Sequence, residues 1–502
     1  MLGPSADLAV DRVLLSETIL INVMPQETRV AILEGKELCE FQVEKNVRQS
    51  IVGNIYLGQV KRVLPGMQSA FIEIGLERTA FLHFVDLVEN KTPNNDNQLI
   101  ETLLVNEQKL LVQVIKDPIG SKGARLSSQL LLVGRYLIFL PQDDQIYISQ
   151  RIENKEKREE LKNLLQSILP RQVTGGYIVR TSALSASVEA LKSDVHFFKK
   201  RWAELQKKCI RHDAPALIHQ ELSLPFRLLR DEVNENTHSI WVNCKQMVNK
   251  MQKFANNYGI DLIDRIHYFN TRDEGDSLLQ HYHVTEQVNK ALRPRVALKG
   301  GGYLVIESTE SMTTIDVNTG AFVGSHSFQQ TILQANLQAC AVIARQLRLR
   351  DIGGIIIIDF IDMQELEHRQ EVMRQFERML ERDHAKTKIT QVSELGLVEM
   401  TRKRTRESLE HLLCESCPTC QGRGYVKTAE TVCYEIFREI MRYARAFDSK
   451  GGFTVVAHPA VIDRLLTAEA TAVADLEHFV NRVIKFQVEN LYTQEQYDII
   501  LS

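Results

Sequence analysis

No apolar run in the sequence is long enough to cross a membrane, since none approaches the length of about eighteen residues that a spanning helix needs. The N-terminal residues also lack the basic segment, apolar core and small-residue cleavage site of a secretory signal. The eight cysteines are mostly isolated in a chain of 502 residues, which is typical of a reducing cytoplasm rather than a disulfide framework. These absences predict a cytoplasmic protein without a membrane partner.

Net charge is also small, because 61 basic residues oppose 64 acidic ones and leave a formal charge of −3. Bulk electrostatics therefore does not indicate nucleic-acid binding, which would have to use local basic patches. The sequence has no internal repeat, low-complexity tail or heptad run. Its 44% apolar and 25% charged residues are ordinary for a globular protein, and its length allows about three or four domains.

Two carboxylates stand at the ends of two strand-like segments. TTIDVN carries Asp316 and IIIIDF carries Asp359, and the isoleucine run before Asp359 predicts a fully buried strand. A carboxylate at such a strand end needs a metal, another cation or water, because an unpaired buried charge costs several kcal/mol. Two carboxylates on neighbouring strands can share one Mg²⁺ ion, which prefers oxygen ligands and can activate water.

The carboxylate pair therefore favours a metal site that cleaves phosphodiester bonds. Asn318 follows Asp316 by two residues, so a strand places it on the same face. The alternative, that each Asp merely caps a helix or a turn, remains open at this point.

Residues 51–88 alternate short strands with Gly and Pro turns, a pattern typical of a small five-stranded barrel. Tyr56, Phe71 and Phe81 lie among basic residues, and such rings can form a stacking face for single-stranded nucleic acid. Lys116 and Lys122 extend the basic face. The alternative for each ring is a place in the barrel core.

Two further segments suggest anion binding. GGYIVRT predicts a strand that ends at Arg180 and Thr181, and an Arg fork matches phosphate oxygens. RKRTR, which begins at Arg402, predicts a basic patch that RNA can use. The alternative for GGYIVRT is an ordinary surface turn, and the alternative for RKRTR is an exposed patch without a binding role.

Cys417 and Cys420 form the motif CPTC before Gly-rich turns, the pattern of a zinc knuckle. A structural zinc ion takes four ligands, so this pair is half a site. Cys414 and His411 could complete it internally, the pair could be a redox dithiol, or a second copy of the chain could supply the other half. We favour the shared site, because two-fold symmetry brings identical segments together.

Several long segments make the chain similar to the ribonuclease E/G family, and the resemblance covers nearly everything from Thr18 onward. The segments are GNIYLGQVKRVLPGMQSAFIEIG, DPIGSKGARL, GGYIVRT, MTTIDVNTGAFVG, RQLRLRDIGGIIIIDFIDM, GLVEMTRKRTRESLEH and CPTCQGRG. The resemblance implies a multidomain α/β fold in which an RNase H-like domain is split by an OB-type, S-one-like RNA-binding barrel and a 5′-sensor region. A DNase I-like domain, a zinc link and a small α/β domain follow.

The implied boundaries are best given in chain order. They are an N-terminal extension at 1–17, the first RNase H-like part at 18–48, the S-one-type barrel at 49–128, the 5′-sensor region at 129–215, the second RNase H-like part at 216–285, the DNase I-like catalytic domain at 286–412, the zinc link at 413–424 and the small dimerisation domain at 425–502. The chain ends soon after that small domain, so we expect it to lack a degradosome scaffold segment.

The resemblance also implies roles for individual residues. They are Asp316 and Asp359 as Mg²⁺ ligands with Asn318 beside them, Phe71, Phe81, Lys116 and Lys122 as RNA contacts, Arg180, Thr181, Gly134 and Ile138 as the pocket for a 5′-monophosphate, and Cys417 and Cys420 as ligands of one Zn²⁺ ion held between two protomers. Ile138 stands where the family often has Val, Lys386 stands where some members carry an Arg of the sensor, and Cys414 falls outside the zinc pair.

The implied activity is a magnesium-dependent endoribonuclease acting on single-stranded, AU-rich RNA. It would prefer 5′-monophosphorylated ends and leave 5′-phosphate and 3′-hydroxyl products, acting on the ribosomal RNA precursor and on messenger RNA as a homodimer, with a tetramer left open. Two alternatives remain: an RNA-binding protein without turnover, and a thiol redox protein that uses the CPTC pair.

Overall fold

The structure is a computed structural model that describes residues 16–46, 50–87, 99–118, 122–169, 175–257, 262–270, 277–320, 328–393, 396–446 and 451–501. Most of the expected N-terminal extension, residues 1–17, lies outside the described residues. The chain divides into two compact units, residues 1–409 and 410–502. None of the helices described in either unit has the length and apolar character to cross a membrane.

The strands of the first unit form four sheets. In chain order they are β1 (Glu17–Val23), β2 (Glu27–Glu34), β3 (Glu37–Lys45), β4 (Ile55–Leu64), β5 (Ser69–Glu73), β6 (Ala80–His83), β7 (Lys109–Lys116), β8 (Arg125–Ser127), β9 (Leu132–Val133), β10 (Leu137–Leu140), β11 (Ile146–Ile148), β12 (Gly176–Val179), β13 (Ala216–His219), β14 (Thr237–Val242), β15 (Ile266–Tyr268), β16 (Arg295–Ala297), β17 (Tyr303–Ser308), β18 (Met312–Asn318), β19 (Gly354–Asp359), β20 (Thr387–Ile389) and β21 (Leu397–Arg402).

The described α-helices of the first unit lie between these strands. They are α1 (Ile100–Leu103), α2 (Lys155–Ile168), α3 (Val188–Arg211), α4 (Leu224–Asp231), α5 (Lys245–Asn257), α6 (Leu278–His281), α7 (Val284–Ala291), α8 (Phe328–Leu349) and α9 (Leu366–Leu380), with α10 (Leu409–Leu413) at the boundary between the units.

The first sheet joins the N-terminal strands to strands from much later in the chain. Its order is β15-β14-β1-β2-β3, and β1 runs parallel to β14 and antiparallel to β2. Ile19, Leu20 and Ile21 in β1 are fully buried, as expected for an inner strand with an unbroken apolar run. Strands β1, β2 and β3 therefore share one sheet with β14 and β15 from the segment 216–285.

The predicted five-stranded barrel is present. β4 pairs with β5 at one side and with β7 at the other, and β6 and β8 complete the circuit β4-β5-β6-β8-β7. Inward-facing Val60, Ile72 and Leu82 are fully buried. β13, at the start of the segment 216–285, pairs with β4 and so extends the barrel sheet rather than the first sheet.

The third sheet follows the barrel and has the order β11-β12-β10-β9. Phe139 of β10 and Tyr177 of β12 pack against Phe198 of α3, with the Phe139 and Phe198 rings stacked 5.7 Å apart. This aromatic core holds α3 against the sheet, next to the turn between β9 and β10.

The fourth sheet is six-stranded, with the order β16-β17-β18-β19-β21-β20. β18 and β19 are parallel, and α8 makes the crossover that a parallel pair requires. Buried residues of α8 and α9 share one hydrophobic core with the sheet. Arg348 of α8 also forms ion pairs with Glu34 at 2.5 Å and Glu40 at 3.0 Å, which tie this helix to β2 and β3.

The second unit is a small α/β domain with its own core. Its strands β22 (Phe453–Ala457), β23 (Ile484–Val488) and β24 (Tyr497–Leu501) form a sheet of order β23-β22-β24, and its helices are α11 (Ala429–Ala446), α12 (Pro459–Leu466) and α13 (Ala470–Val480).

Candidate functional site

The two predicted carboxylates lie side by side on the two central strands of the six-stranded sheet. Asp316 and Asp359 are register partners in the parallel pair of β18 and β19, and both are exposed. Neighbouring strands lie about 4.8 Å apart, so oxygens from both side chains can reach one small cation. Asn318 donates a hydrogen bond from Nδ2 to Asp316 Oδ2 at 2.6 Å. The fold thus groups the three residues as the sequence analysis grouped them.

The carboxylates project from the face of the sheet opposite the helices. Ile356 and Ile358 point into the core and are fully buried, whereas Ile355, on the same face as Asp359, is 48% exposed. The expectation of a strand buried on both faces is therefore wrong. α8 and α9 cover one face and leave the other accessible, so the alternation along β19 carries Asp359 outward.

The carboxylates of Asp316 and Asp359 repel each other. Partial burial, the charge of Asp316 and the charge of Asp362 all raise the pKa of Asp359. A bound cation would relieve this repulsion and favour the ionised carboxylates. Asp362 did not emerge from the sequence analysis, although its position three residues after Asp359 in IIIIDFID was a usable signal.

The donor set fits magnesium. Among the described residues, no three His, Cys, Asp or Glu side chains come together as a metal-binding group, so the site offers two carboxylates with Asn318 beside them. Mg²⁺ commonly takes one or two protein carboxylates and keeps water as its remaining ligands.

An outward-facing row of aromatic and basic side chains crosses the barrel. Through the strand register, Arg62 pairs with Phe71, Phe71 with Phe81, Phe81 with Arg125 and Arg125 with Lys116. The rings of Phe71 and Phe81 meet edge to face, with centroids 6.2 Å apart, and both remain partly exposed.

The other residues considered for RNA contact on the barrel are partly on its surface and partly in its core. Lys122 is exposed, three residues before β8 begins. Tyr56 is only 5% exposed and belongs to the barrel core, so its inclusion among the surface rings is wrong. Arg125 is partly engaged, since its guanidinium pairs with Asp86 at 2.8 Å.

The residues predicted to bind an anion lie where β12 meets the turn after β9. Arg180 donates from Nη1 to the Gly134 carbonyl oxygen at 2.6 Å and to Asp231 Oδ1 at 2.7 Å. Thr181 begins the next 3₁₀ helix, and Ile138 lies half-buried in β10. Gly134 is needed for packing, because a Cβ there would lie 2.6 Å from the Phe198 ring.

Side chains that the sequence analysis missed hold this pocket together. Asp194 of α3 accepts hydrogen bonds from the Tyr136 and Leu137 amides at 2.8 and 3.1 Å. Burial raises the pKa of Asp194 to about 6, against the opposing effect of these two amides. Arg230 and Asp231 approach from the end of α4. No sequence motif marks these contacts, since the partners come from distant segments.

The cysteine pair lies in the second unit. The Sγ of Cys417 accepts backbone hydrogen bonds from Cys420 and Thr419, and these bonds, with the Cys420 side chain, lower the pKa of the Cys417 thiol. Cys417 and Cys414 are exposed and Cys420 is half-buried. Cys414 also precedes Cys417 at CxxC spacing, so the two motifs overlap.

The basic segment after β21 is not a uniform surface patch. Arg402 is buried, with bonds to Asp383 at 2.6 Å and Asp351 at 2.8 Å, so it is a structural residue and its assignment to an exposed patch is wrong. Lys403 and Lys386 are exposed, and the Lys403 amide donates to the Lys386 carbonyl oxygen at 2.9 Å.

Comparison with known proteins identifies the family of this chain. A sequence model of the ribonuclease E/G family matches residues 131–405, more than half of the chain. The chain belongs to the ribonuclease E/G family.

Relatives within the ribonuclease E/G family cover almost the full chain. Ribonuclease G of Salmonella typhimurium is 45% identical over 490 residues, which are 96% of this chain and 99% of that protein. Ribonuclease G of Escherichia coli K12 is 44% identical over the same shares. Ribonuclease E of a Nostoc species is 35% identical over 406 residues, 81% of this chain but 58% of that protein. These relationships support an endoribonuclease with a role in RNA processing.

Proposed function

We propose that this ribonuclease E/G family member is a magnesium-dependent endoribonuclease that cleaves single-stranded, AU-rich RNA. It prefers 5′-monophosphorylated ends and leaves 5′-phosphate and 3′-hydroxyl products, with the ribosomal RNA precursor and messenger RNA as its substrates in the cytoplasm. The observation that carries the proposal is the register pairing of Asp316 with Asp359 on an open sheet face.

The catalytic step depends on these two carboxylates. Asp316 and Asp359 would hold Mg²⁺, which would supply an activated water for in-line attack and offset charge on the phosphate. Asn318 fixes the orientation of Asp316 through its hydrogen bond to Oδ2. The parallel pairing of β18 with β19 sets the separation of the carboxylates before substrate arrives, so little reorganisation is needed.

The barrel is the RNA clamp in this proposal. Phe71 and Phe81 are partly exposed, so each ring can stack on a base, and stacking tolerates any sequence because every base has a π-face. Lys116 and Lys122 are exposed and can attract the phosphate backbone. This arrangement suits single strands, whose bases are free to stack on protein rings.

Phe81→Ala is expected to weaken RNA binding about fivefold to 150-fold, which corresponds to about 1–3 kcal/mol per stacked base. Phe81→Tyr keeps the ring and should bind almost normally, whereas Phe81→Leu keeps an apolar side chain without the ring and should resemble alanine. Affinity is measured by fluorescence anisotropy with single-stranded RNA, in an Asp359→Asn background that prevents cleavage. Equal affinities for the Leu and Tyr variants would contradict the stacking role.

The 5′-sensor region is the second RNA contact. Arg180 Nη1 is anchored by Gly134 and Asp231, and Nε and Nη2 make no hydrogen bond within the described residues. Because Arg180 remains 24% exposed, these two nitrogens can present a fork to a terminal phosphate. Thr181 follows directly and adds a hydroxyl donor, and Ile138 and Gly134 shape the neighbouring wall.

Arg180→Ala should remove the preference for 5′-monophosphate ends, so that the ratio of monophosphate to hydroxyl cleavage rates falls to about one, because the charge-assisted fork is lost. The test incubates labelled RNA of one sequence, with either 5′ end, with the full chain and Mg²⁺, and it also tests the proposed activity itself. Arg180→Lys keeps the charge without the planar fork and should restore only part of the ratio. A preference that survives Arg180→Ala would place the sensor elsewhere.

The CPTC pair is the proposed zinc link between two protomers. Amide hydrogen bonds stabilise the Cys417 thiolate, the form that binds zinc. Two thiolates from each of two chains complete the four-ligand set of a structural zinc ion. The site thereby supports a homodimer, and the small domain of residues 425–502 is its expected dimerisation domain, with a tetramer still open.

Cys417→Ser is expected to abolish zinc binding and weaken the dimer, because it removes one thiolate from each half-site. Native protein should contain about one zinc ion per two chains, measured by elemental analysis beside light scattering. Cys414→Ser is the matched control and should keep both zinc and dimer. One zinc ion per chain, lost on Cys414→Ser, would instead support an internal site.

A further inference from the structure

Asp231 occupies one side of the guanidinium group that is proposed to receive the 5′-phosphate. Its Oδ1 accepts a bond from Arg180 Nη1 at 2.7 Å, and both side chains are about one quarter exposed, at 26% and 24%. Arg180 is therefore not an isolated cation. The same contact that fixes its position also places a negative charge beside any anion that it binds.

Two further ion pairs complete this arrangement. Arg230, only 7% exposed, donates to Asp231 Oδ2 at 2.8 Å and to Glu221 Oε1 at 2.7 Å. The four side chains alternate in sign, as Arg180, Asp231, Arg230 and Glu221, so their charges sum to zero. Burial works against ionisation of Asp231, but bonds from Arg230 and Arg180 outweigh it and lower the pKa of this carboxyl, which keeps it charged at neutral pH.

We propose that Asp231 is a specificity-determining residue, which positions the Arg180 fork and limits the negative charge that the 5′-end pocket accepts. This inference rests on the proposed 5′-sensor function and names the residue that would separate monophosphate from triphosphate ends. Arg180 keeps two donors for a terminal phosphate, while the Asp231 carboxylate in direct contact with Arg180 opposes the further phosphates of a triphosphate.

The charge argument compares the two ends directly. A terminal monophosphate carries about −1.5 to −2 at neutral pH, and a triphosphate carries about two further charges. Those extra phosphates repel the Asp231 carboxylate, and the partly buried pocket screens this repulsion less than water does. Removing the carboxylate charge should therefore favour the triphosphate more than the monophosphate.

The test measures cleavage of one RNA sequence carrying a 5′-hydroxyl, 5′-monophosphate or 5′-triphosphate by the full chain with Mg²⁺. Asp231→Asn keeps the size of the side chain and removes its charge. Asp231→Glu keeps the charge. Glu221→Gln is the matched control, because it removes one charge from the same network on the far side of Arg230. The RNA with the hydroxyl end reports on folding and on the chemical step.

For Asp231→Asn, the ratio of triphosphate to monophosphate cleavage rates should rise about fivefold, the effect of one partly screened charge. Asp231→Glu and Glu221→Gln should stay near the native ratio. An unchanged ratio in Asp231→Asn overturns the inference, and a parallel loss of activity on all three RNAs counts as an unchanged ratio. An equal rise of the ratio in Glu221→Gln also overturns it. If the native chain cleaves monophosphate and hydroxyl ends alike, the sensor proposal itself fails.

Discussion

Asp359→Asn is expected to lower RNA cleavage about a thousandfold or more while RNA binding changes little. The substitution keeps the shape of the side chain but removes the charge that faces Asp316 across the strand pair. A metal ion contributes several kcal/mol to transition-state charge stabilisation, and about 4 kcal/mol corresponds to a thousandfold in rate. The loss should therefore fall on kcat, because the barrel and the sensor still bind RNA.

A matched control tests whether the strand pair itself matters. Asp362 is close enough to raise the pKa of Asp359 but lies beyond the end of β19. Asp362→Asn should therefore lower cleavage by less than about tenfold, since it removes neither member of the facing pair. Single-turnover cleavage and anisotropy binding are measured on both variants. Substantial cleavage by Asp359→Asn, or a larger loss in Asp362→Asn, would place the metal site elsewhere.

Local sequence patterns were sufficient to find the carboxylate pair of Asp316 and Asp359. An apolar run followed by Asp predicts a strand end, and in the structure α8 makes the crossover that sets β18 and β19 parallel. Two Asp residues at equivalent strand ends then come into register. The same local logic predicted the barrel, because short strands separated by Gly and Pro turns have few ways to bury their apolar faces.

Contacts between distant segments could not be predicted in this way. Asp231, at the end of α4, contacts Arg180, which follows β12. β13 pairs with β4 of the barrel and not with the sheet expected for the segment 216–285. The exposure of Ile355 depends on the helices covering only one face of its sheet. In each case the deciding partner is remote in sequence, and the residue type alone suits several environments.

Arg402 shows that partners distant in sequence can bury a side chain that its own segment predicts to be exposed. The segment RKRTR suggests a solvated patch, yet Arg402 donates bonds to Asp383 at 2.6 and 3.1 Å and to Asp351 at 2.8 Å. The side chains of Arg402 and Asp383 are only 4% and 2% exposed. Arg402 also lies in β21, which pairs with the strand that carries Asp359. Its register partner there is Gly354, so Arg402 anchors the end of this strand pair opposite to Asp359.

Arg402→Met is expected to lower the free energy of unfolding by about 3–5 kcal/mol, because it leaves the buried Asp383 carboxylate without its partner. Lys403→Met is the matched control on the exposed neighbour, with an expected change within about 0.5 kcal/mol. Urea unfolding is followed by tryptophan fluorescence, which reports on the first unit because the chain's only tryptophans, Trp202 and Trp241, both lie there. Adding Asp383→Asn to Arg402→Met should recover part of the loss, since the unpaired charge is gone. Equal unfolding midpoints for the two single variants would contradict the anchoring role.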